Sequence, residues 1–191
     1  NEWLSRELIT ENCYEYLSDR NLVTFPWTMI DKITPRPDVK VEKMLNSIGF
    51  ENLDIQQTSK GSFVSPFVNS EEIGYLAIED DFPNGRPPLE EAGIIFGNRE
   101  IVHQIETMKV TTLLNPLHTA LAIFGNLLEY DYICQTVEDK ILLNLINELG
   151  YTEGLKVVVD PGIIKPKSFL DEVIEIRLPN RFIPDTPQRI A

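Results

Sequence analysis

Cysteine, histidine, positive charge and long apolar runs are all scarce in this chain. Of 191 residues two are cysteine and two are histidine. Cys13 and Cys134 stand far apart in no metal or redox spacing, which argues against a thiol-held metal or a disulfide framework and for a reduced, cytoplasmic chain. No apolar run reaches the roughly 18 residues that span a bilayer. The strongest candidate, residues 110–128, is broken by Asn115, Pro116, His118 and Asn126. Lys and Arg number 17 against 30 Asp and Glu, a formal net charge of −13 that opposes attraction to phosphate backbones or anionic lipid. Neither nucleic acid nor a membrane is expected as a partner. The chain also lacks an initial Met, a signal peptide, repeats and low-complexity tracts, and a piece of a longer polypeptide is expected.

What is present is a chain with 42% hydrophobic residues, enough for a core. Trp3, Leu4, Leu8, Ile9, Cys13, Tyr16 and Leu17 recur at helical spacing and predict a helix over 2–18. Pro26, Pro35 and Pro37 restrict the next stretch to a short turn or strand end. Asp38 has the chemistry of an N-cap for a helix that stops at Gly49. "NLDIQQT", "SFVSPFV" and "IGYLAIED" predict a small antiparallel sheet. The Pro- and Gly-rich "DDFPNGRPPLEEAG" is turn chemistry, after which helical periodicity takes over. Helices are expected at about 99–129, 135–149 and 167–177, with "VVVDPG" as a short strand or extended crossing. The fold class is therefore α+β, divided near residue 98: a small sheet first, a mainly α-helical region after it.

The segment "MKVTTLLNPLHTALAIFG" carries Lys109, Asn115 and His118 through an apolar pattern and places Pro116 among them. Asn115 and His118, three apart, share a helix face. Lys109 is nine residues from His118 and falls on the opposite side of an ideal helix. Pro116 cannot donate to the carbonyl of Thr112, so a kink or a π-bulge is expected near 111–116, and one absorbed residue would turn Lys109 toward the other two. Two readings stay open. Either Lys109 snorkels while Asn115 and His118 satisfy core hydrogen bonds, or a partly desolvated Lys109 acts as general base with Asn115 and His118 on a substrate oxygen.

"ETMKVTTLLNPLHTALAIFG", "FPWTMIDKITP", "IEDDFPNGRPPLEEAGIIF" and "RLPNRFIPDTPQRIA" together resemble the polyol-specific long-chain dehydrogenase/reductase family, the mannitol dehydrogenase family, in the family's order along the chain. The resemblance implies metal-free oxidation of sugar alcohols or reduction of keto-sugars with NAD, NADP remaining open, on a mainly helical C-terminal domain. It implies Lys109 as general acid/base, Asn115 and His118 on the substrate oxygens, and Glu106 as a carboxylate that assists proton exchange with solvent, with an ordinary helix acid as the equal alternative. Asp31 in "MIDKI" matches an acidic residue of the cofactor and substrate cleft, a cap or salt bridge being nearly as good a reading. Arg177 matches an arginine that contacts substrate, Arg181 reads as surface, and Arg86 reads equally as loop anchor or anion ligand. Pro116, "DKITPRP" and "PDTPQRIA" resemble the fructuronate/mannonate branch, with mannitol or another polyol as the alternative substrate. A uronate anion would need Lys109, Arg177 and Arg86 as local positive charge.

Two features depart from the family. Its spacing is Lys-x4-Asn-x2-His, and here one residue is extra before Pro116. No G-x-G-x-x-G cradle for a dinucleotide occurs. Residues 1–97 are then expected to be the tail of a Rossmann-type cofactor domain with a small β extension, and 98–191 an incomplete catalytic domain, the nucleotide-binding half lying outside the chain. A helical interaction module without cofactor binding is the alternative of another class.

Overall fold

Helical spacing over 2–18 yields two short helices, α1 (Glu2–Ser5) and α2 (Glu11–Ser18). Glu7 takes a left-handed φ of +55°, which ends the first turn, and the Thr10 hydroxyl accepts the Cys13 N–H to start α2. This computed structural model describes residues 1–72 and 74–190, the last two by backbone alone. The proline-bracketed stretch forms a four-residue strand, β1 (Thr28–Asp31), whose alternation turns Met29 and Asp31 inward. Asp38 caps α3 (Val39–Ser47) by accepting the Lys40 N–H at 2.6 Å, and the chain leaves the helix through Gly49 at φ +97°.

The expected three-stranded meander divides in two. β2 (Gln56–Gln57) and β3 (Phe63–Val64) make an antiparallel hairpin. β4 (Tyr75–Glu79) instead takes the centre of a second sheet, order β1-β4-β5, and runs parallel to β5 (Ile95–Gly97). Ala77, with no exposure, sits at the middle of that sheet, and the 15 residues from 80 to 94 are long enough for a parallel crossover.

Each predicted long helix is present, but segmented. α4 (Arg99–Thr107) runs into a π-helical segment, Met108–Leu113, and then α5 (Asn115–Leu127). α6 (Ile133–Thr136) precedes α7 (Lys140–Asn147), which Asp139 caps and which widens into a second π segment, Glu148–Gly154. α8 (Leu155–Val157) follows, so "VVVDPG" begins as the end of a helix and is extended at Val158, with no strand. α9 (Pro166–Glu172) widens into a third π segment, Val173–Arg177, and α10 (Pro187–Ile190) closes the described chain.

Two compact units are assembled from alternate stretches: Asn1–Ile30 with Tyr75–Glu106, and Asp31–Gly74 with Thr107–Ala191. Residues 31–74 thus group with the helical residues of the second unit. Unit one is built around Met29, Ala77, Val102 and Ile105. Unit two buries Leu113, Leu117, Leu121, Ile146, Phe169, Leu170 and Val173, each at about 1.5–3 kcal/mol of transfer free energy. The second π segment can lie close to its neighbours because it carries glycine: a Cβ on Gly150 would fall 2.8 Å from Leu170 Cδ1, and one on Gly154 3.4 Å from Leu113 Cδ2. Among the described residues no helix is long and apolar enough to cross a membrane.

Candidate active site

The widened turn that Pro116 predicts lies over Met108–Leu113. Its signature is the Leu114 N–H, which reaches back five residues to the Lys109 carbonyl at 3.0 Å. Leu114 breaks the run (φ −118°, ψ −64°), and Pro116 then occupies the first turn of α5, where a missing N–H costs no hydrogen bond.

Lys109, four-fifths covered, directs Nζ to Asp31 Oδ1 at 2.8 Å. Asp31 is 1% exposed and receives two further bonds from Arg177, Nη1 to Oδ2 at 2.7 Å and Nη2 to Oδ1 at 2.9 Å. Arg177 has a second carboxylate partner, Glu71, to which Nε donates at 3.0 Å and Nη2 at 2.7 Å. Glu71 Oε1 also accepts the Ile33 N–H at 2.6 Å, and the Glu71 N–H donates to the Ile33 carbonyl. Two acids and two bases therefore balance in one covered cluster, the condition under which buried charge is tolerated. Burial alone would push the Asp31 carboxyl up; the hydrogen bonds and charges of Arg177 and Lys109 outweigh it and hold the group below the usual carboxylate range. Burial likewise opposes the Arg177 charge, and its bonds to Asp31 and Glu71 overcome that and raise its proton affinity.

His118, one turn into α5, places Nε2 2.9 Å from Oδ2 of the buried Asp185. Asp185 is fixed in turn by its backbone, whose carbonyl accepts the Ile133 N–H at 2.9 Å. His118, Asp185, Arg177 and Asn180 line one cleft of about 10 Å³, room for one water and not for a sugar. A larger hollow of about 470 Å³, lined by Val41, Met44, Tyr132, Phe182 and Pro184, touches none of the expected catalytic side chains. Asn115 is exposed at the start of α5, and its carboxamide bonds no described residue.

Lys109 is thus joined to Arg177 through Asp31, and Arg177 borders the cleft of His118. Glu106 lies in unit one, 41% exposed, with His103 Nδ1 at 3.9 Å. Two of the expected arginines are already engaged by carboxylates. Arg177 has no exposed side-chain surface and is paired with two carboxylates, Asp31 and Glu71. Arg86 is held by Asp80 at 2.8 Å and Glu90 at 2.5 Å and lies 3.4 Å over the Phe96 ring, which makes it a loop anchor whose charge is already compensated. Glu71 and Asp185 escaped the sequence reading. Asp185 stood inside the quoted "PDTPQRIA", whereas Glu71 sits in a loop 106 positions from its arginine with no periodic signal.

The strand-to-helix turn from β5 to α4 contains Gly97, but a Cβ there would meet Ile101 Cγ2 at 2.9 Å, so this glycine serves the packing of the helix itself. Asn98 already caps that helix, accepting the Ile101 N–H at 2.9 Å. Among the described residues this is not an open pyrophosphate cradle.

No protein-family model matches the chain. A D-mannonate oxidoreductase of Thermotoga maritima is 53% identical over 192 aligned positions, all of this chain and 35% of the relative. A polyol:NADP oxidoreductase of Gluconobacter oxydans is 33% identical over 88% of this chain and 32% of its own length. Among solved structures, substrate-free D-sorbitol dehydrogenase superposes with a TM-score of 0.80 at 26% identity, covering 97% of this chain and 35% of that one. Mannitol 2-dehydrogenase of Pseudomonas fluorescens, in a ternary complex with NAD and D-mannitol, gives 0.67 at 25% identity, with 97% and 34% covered. The chain spans about a third of the length of the relatives it matches.

Proposed function

Because the chain belongs to the mannitol dehydrogenase family of polyol oxidoreductases, we propose that it is the C-terminal catalytic part of an NAD(P)-dependent enzyme that interconverts fructuronate and mannonate, with Lys109 as general acid/base. Residues 1–97 form the end of the cofactor domain and 98–191 the substrate domain in this reading. Its kind rests on the family; its substrate rests on the 53% identical relative named D-mannonate oxidoreductase. The observation that carries the site is the Lys109 ammonium, turned by a π segment onto a buried carboxylate at 2.8 Å.

The hydride carrier, NAD or NADP, is bound by parts of the whole protein outside this chain, and this chain's own share is proton transfer and orientation. In reduction, the paired Lys109 ammonium donates to the carbonyl oxygen as it becomes a hydroxyl; in oxidation, the amine takes that proton back. Asn115, exposed and uncommitted among the described residues, offers its carboxamide to the same oxygen. His118, whose Nε2 lies 2.9 Å from Asp185 Oδ2, offers its imidazole to a neighbouring hydroxyl. A mannitol or fructose substrate is the second reading, favoured by the mannitol-bound neighbour and by the compensation of Arg177 and Arg86, which removes two charges expected to meet a uronate.

NADH oxidation by the full-length protein with fructuronate, tagaturonate and fructose, each repeated with Lys109→Ala, tests both levels. Turnover strongest on fructuronate and reduced about a hundredfold or more in the variant is expected. Turnover on fructose alone replaces the substrate and keeps the chemistry. A Lys109→Ala protein as active as the parent removes the lysine from the reaction.

A further inference from the structure

We propose that Glu71 is a positioning residue of the reaction, acting on Lys109 through Arg177 and Asp31. The proposal rests on Lys109 being the acid/base. Glu71 is 2% exposed and makes bonds in two directions. Toward Arg177 it accepts from Nε and Nη2, so the guanidinium is gripped on one edge by Glu71 and on the other by Asp31. Toward the backbone it accepts the Ile33 N–H and donates its own N–H to the Ile33 carbonyl, which fixes the chain two residues beyond Asp31. Asp31 is therefore aimed from both its side chain and its main chain by one glutamate, and Asp31 Oδ1 is the atom that holds Lys109 Nζ.

The charges require this fourth member. Lys109 and Arg177 are two cations, and Asp31 is one anion with one oxygen, Oδ1, serving both. Without Glu71 the unmatched guanidinium competes with Lys109 for Asp31, in surroundings where Arg177 has no exposure to water that could screen it. The cluster would then carry one surplus positive charge. The Lys109 ammonium is disfavoured by that surplus, and its tether at Oδ1 is shared less well. The charged groups facing Lys109 in this argument are Asp31 directly and Arg177 and Glu71 behind it.

Glu71→Gln separates charge from shape, since the carboxamide oxygen still accepts the Ile33 N–H. In the full-length protein, kcat for the preferred substrate is expected to fall roughly ten- to hundredfold with KM changed much less, because a displaced acid/base costs rate more than binding. The limb of the kcat–pH profile that reports the acid/base moves to lower pH. Glu71→Asp, which keeps the charge, restores the position of the limb. Glu71→Gln/Arg177→Gln removes one anion and one cation: the limb stays at its parental pH while kcat remains depressed. Should Glu71→Gln fail to fold, the neutral double variant supplies the same decision. A Glu71→Gln protein, or in its place the double variant, with parental kcat and pH profile overturns the positioning role while Lys109→Ala remains inactive. Activity retained in Lys109→Ala locates the failure in the acid/base reading itself.

Discussion

Asp31 receives three charge-assisted bonds on two oxygens and has almost no contact with water, so its ionisation is bound up with the stability of unit two. Its carboxyl is held below the ordinary value of 3.8 in the folded state. A depressed folded value means that the stabilisation is fully present above the unfolded carboxyl range and is lost as pH falls through the lower folded value. Asp31→Asn strands Arg177 and Lys109 with one anion between them, and is expected to cost about 3–5 kcal/mol near neutral pH. Urea unfolding of both proteins from neutral to strongly acid pH should show that gap closing at the acid end, where Asp31 of the parent also becomes neutral. A gap that stays constant to the acid end would show that the carboxylate charge is not what holds the cluster. At this scale the sequence was informative where polar residues interrupt an apolar pattern, as at Lys109 and His118. It was silent on Glu71, because a loop residue paired across the chain leaves no periodicity, and on the burial of Arg177, because an exposed and a buried arginine are written with the same letter.

Helices in unit two approach one another wherever a side chain is missing, and α5 meets α6 and α10 at Gly125. An alanine there would improve helix propensity by up to about 1 kcal/mol. Its Cβ, however, would lie 2.6 Å from Thr136 Cγ2 and 3.2 Å from Pro187 Cγ. Thr136 has no exposure, and its hydroxyl is tied to the Ile133 carbonyl at 2.6 Å, so it cannot swing aside. Overpacking of about 1–3 kcal/mol therefore outweighs the propensity gain. Gly125→Ala should lower stability by roughly 1–2 kcal/mol in chemical denaturation; a variant more stable than the parent would mean that α6 and α10 yield without cost. Helix positions were legible in the sequence because caps and apolar spacing act locally: Asp38 starts α3 where its chemistry predicts, and Pro116 announces the π segment before α5. The other two π segments were not legible, since Glu148–Gly154 and Val173–Arg177 contain no proline to mark them.

Across the whole molecule the α+β class and the family follow from local pattern and motif order, whereas the grouping of residues 31–74 with the helical unit leaves no local signal. Residues 31–74 join the helical unit through pairs such as Glu71 with Arg177, 106 positions apart, and a linear reading that looks for one boundary has no means of seeing such an interleaved assembly. The turn from β5 to α4 has a measurable consequence. Gly97 is consumed by the packing of Ile101 and the α4 terminus by its own Asn98 cap, so this turn offers a dinucleotide's pyrophosphate no open cradle. A formal charge of −13 further opposes a doubly charged pyrophosphate. Residues 1–191 prepared alone, once circular dichroism shows the helices to be formed, should give no saturable change in NADH fluorescence, while the full-length protein gives a titration that saturates. Saturable binding by residues 1–191 would place a nucleotide site within this chain.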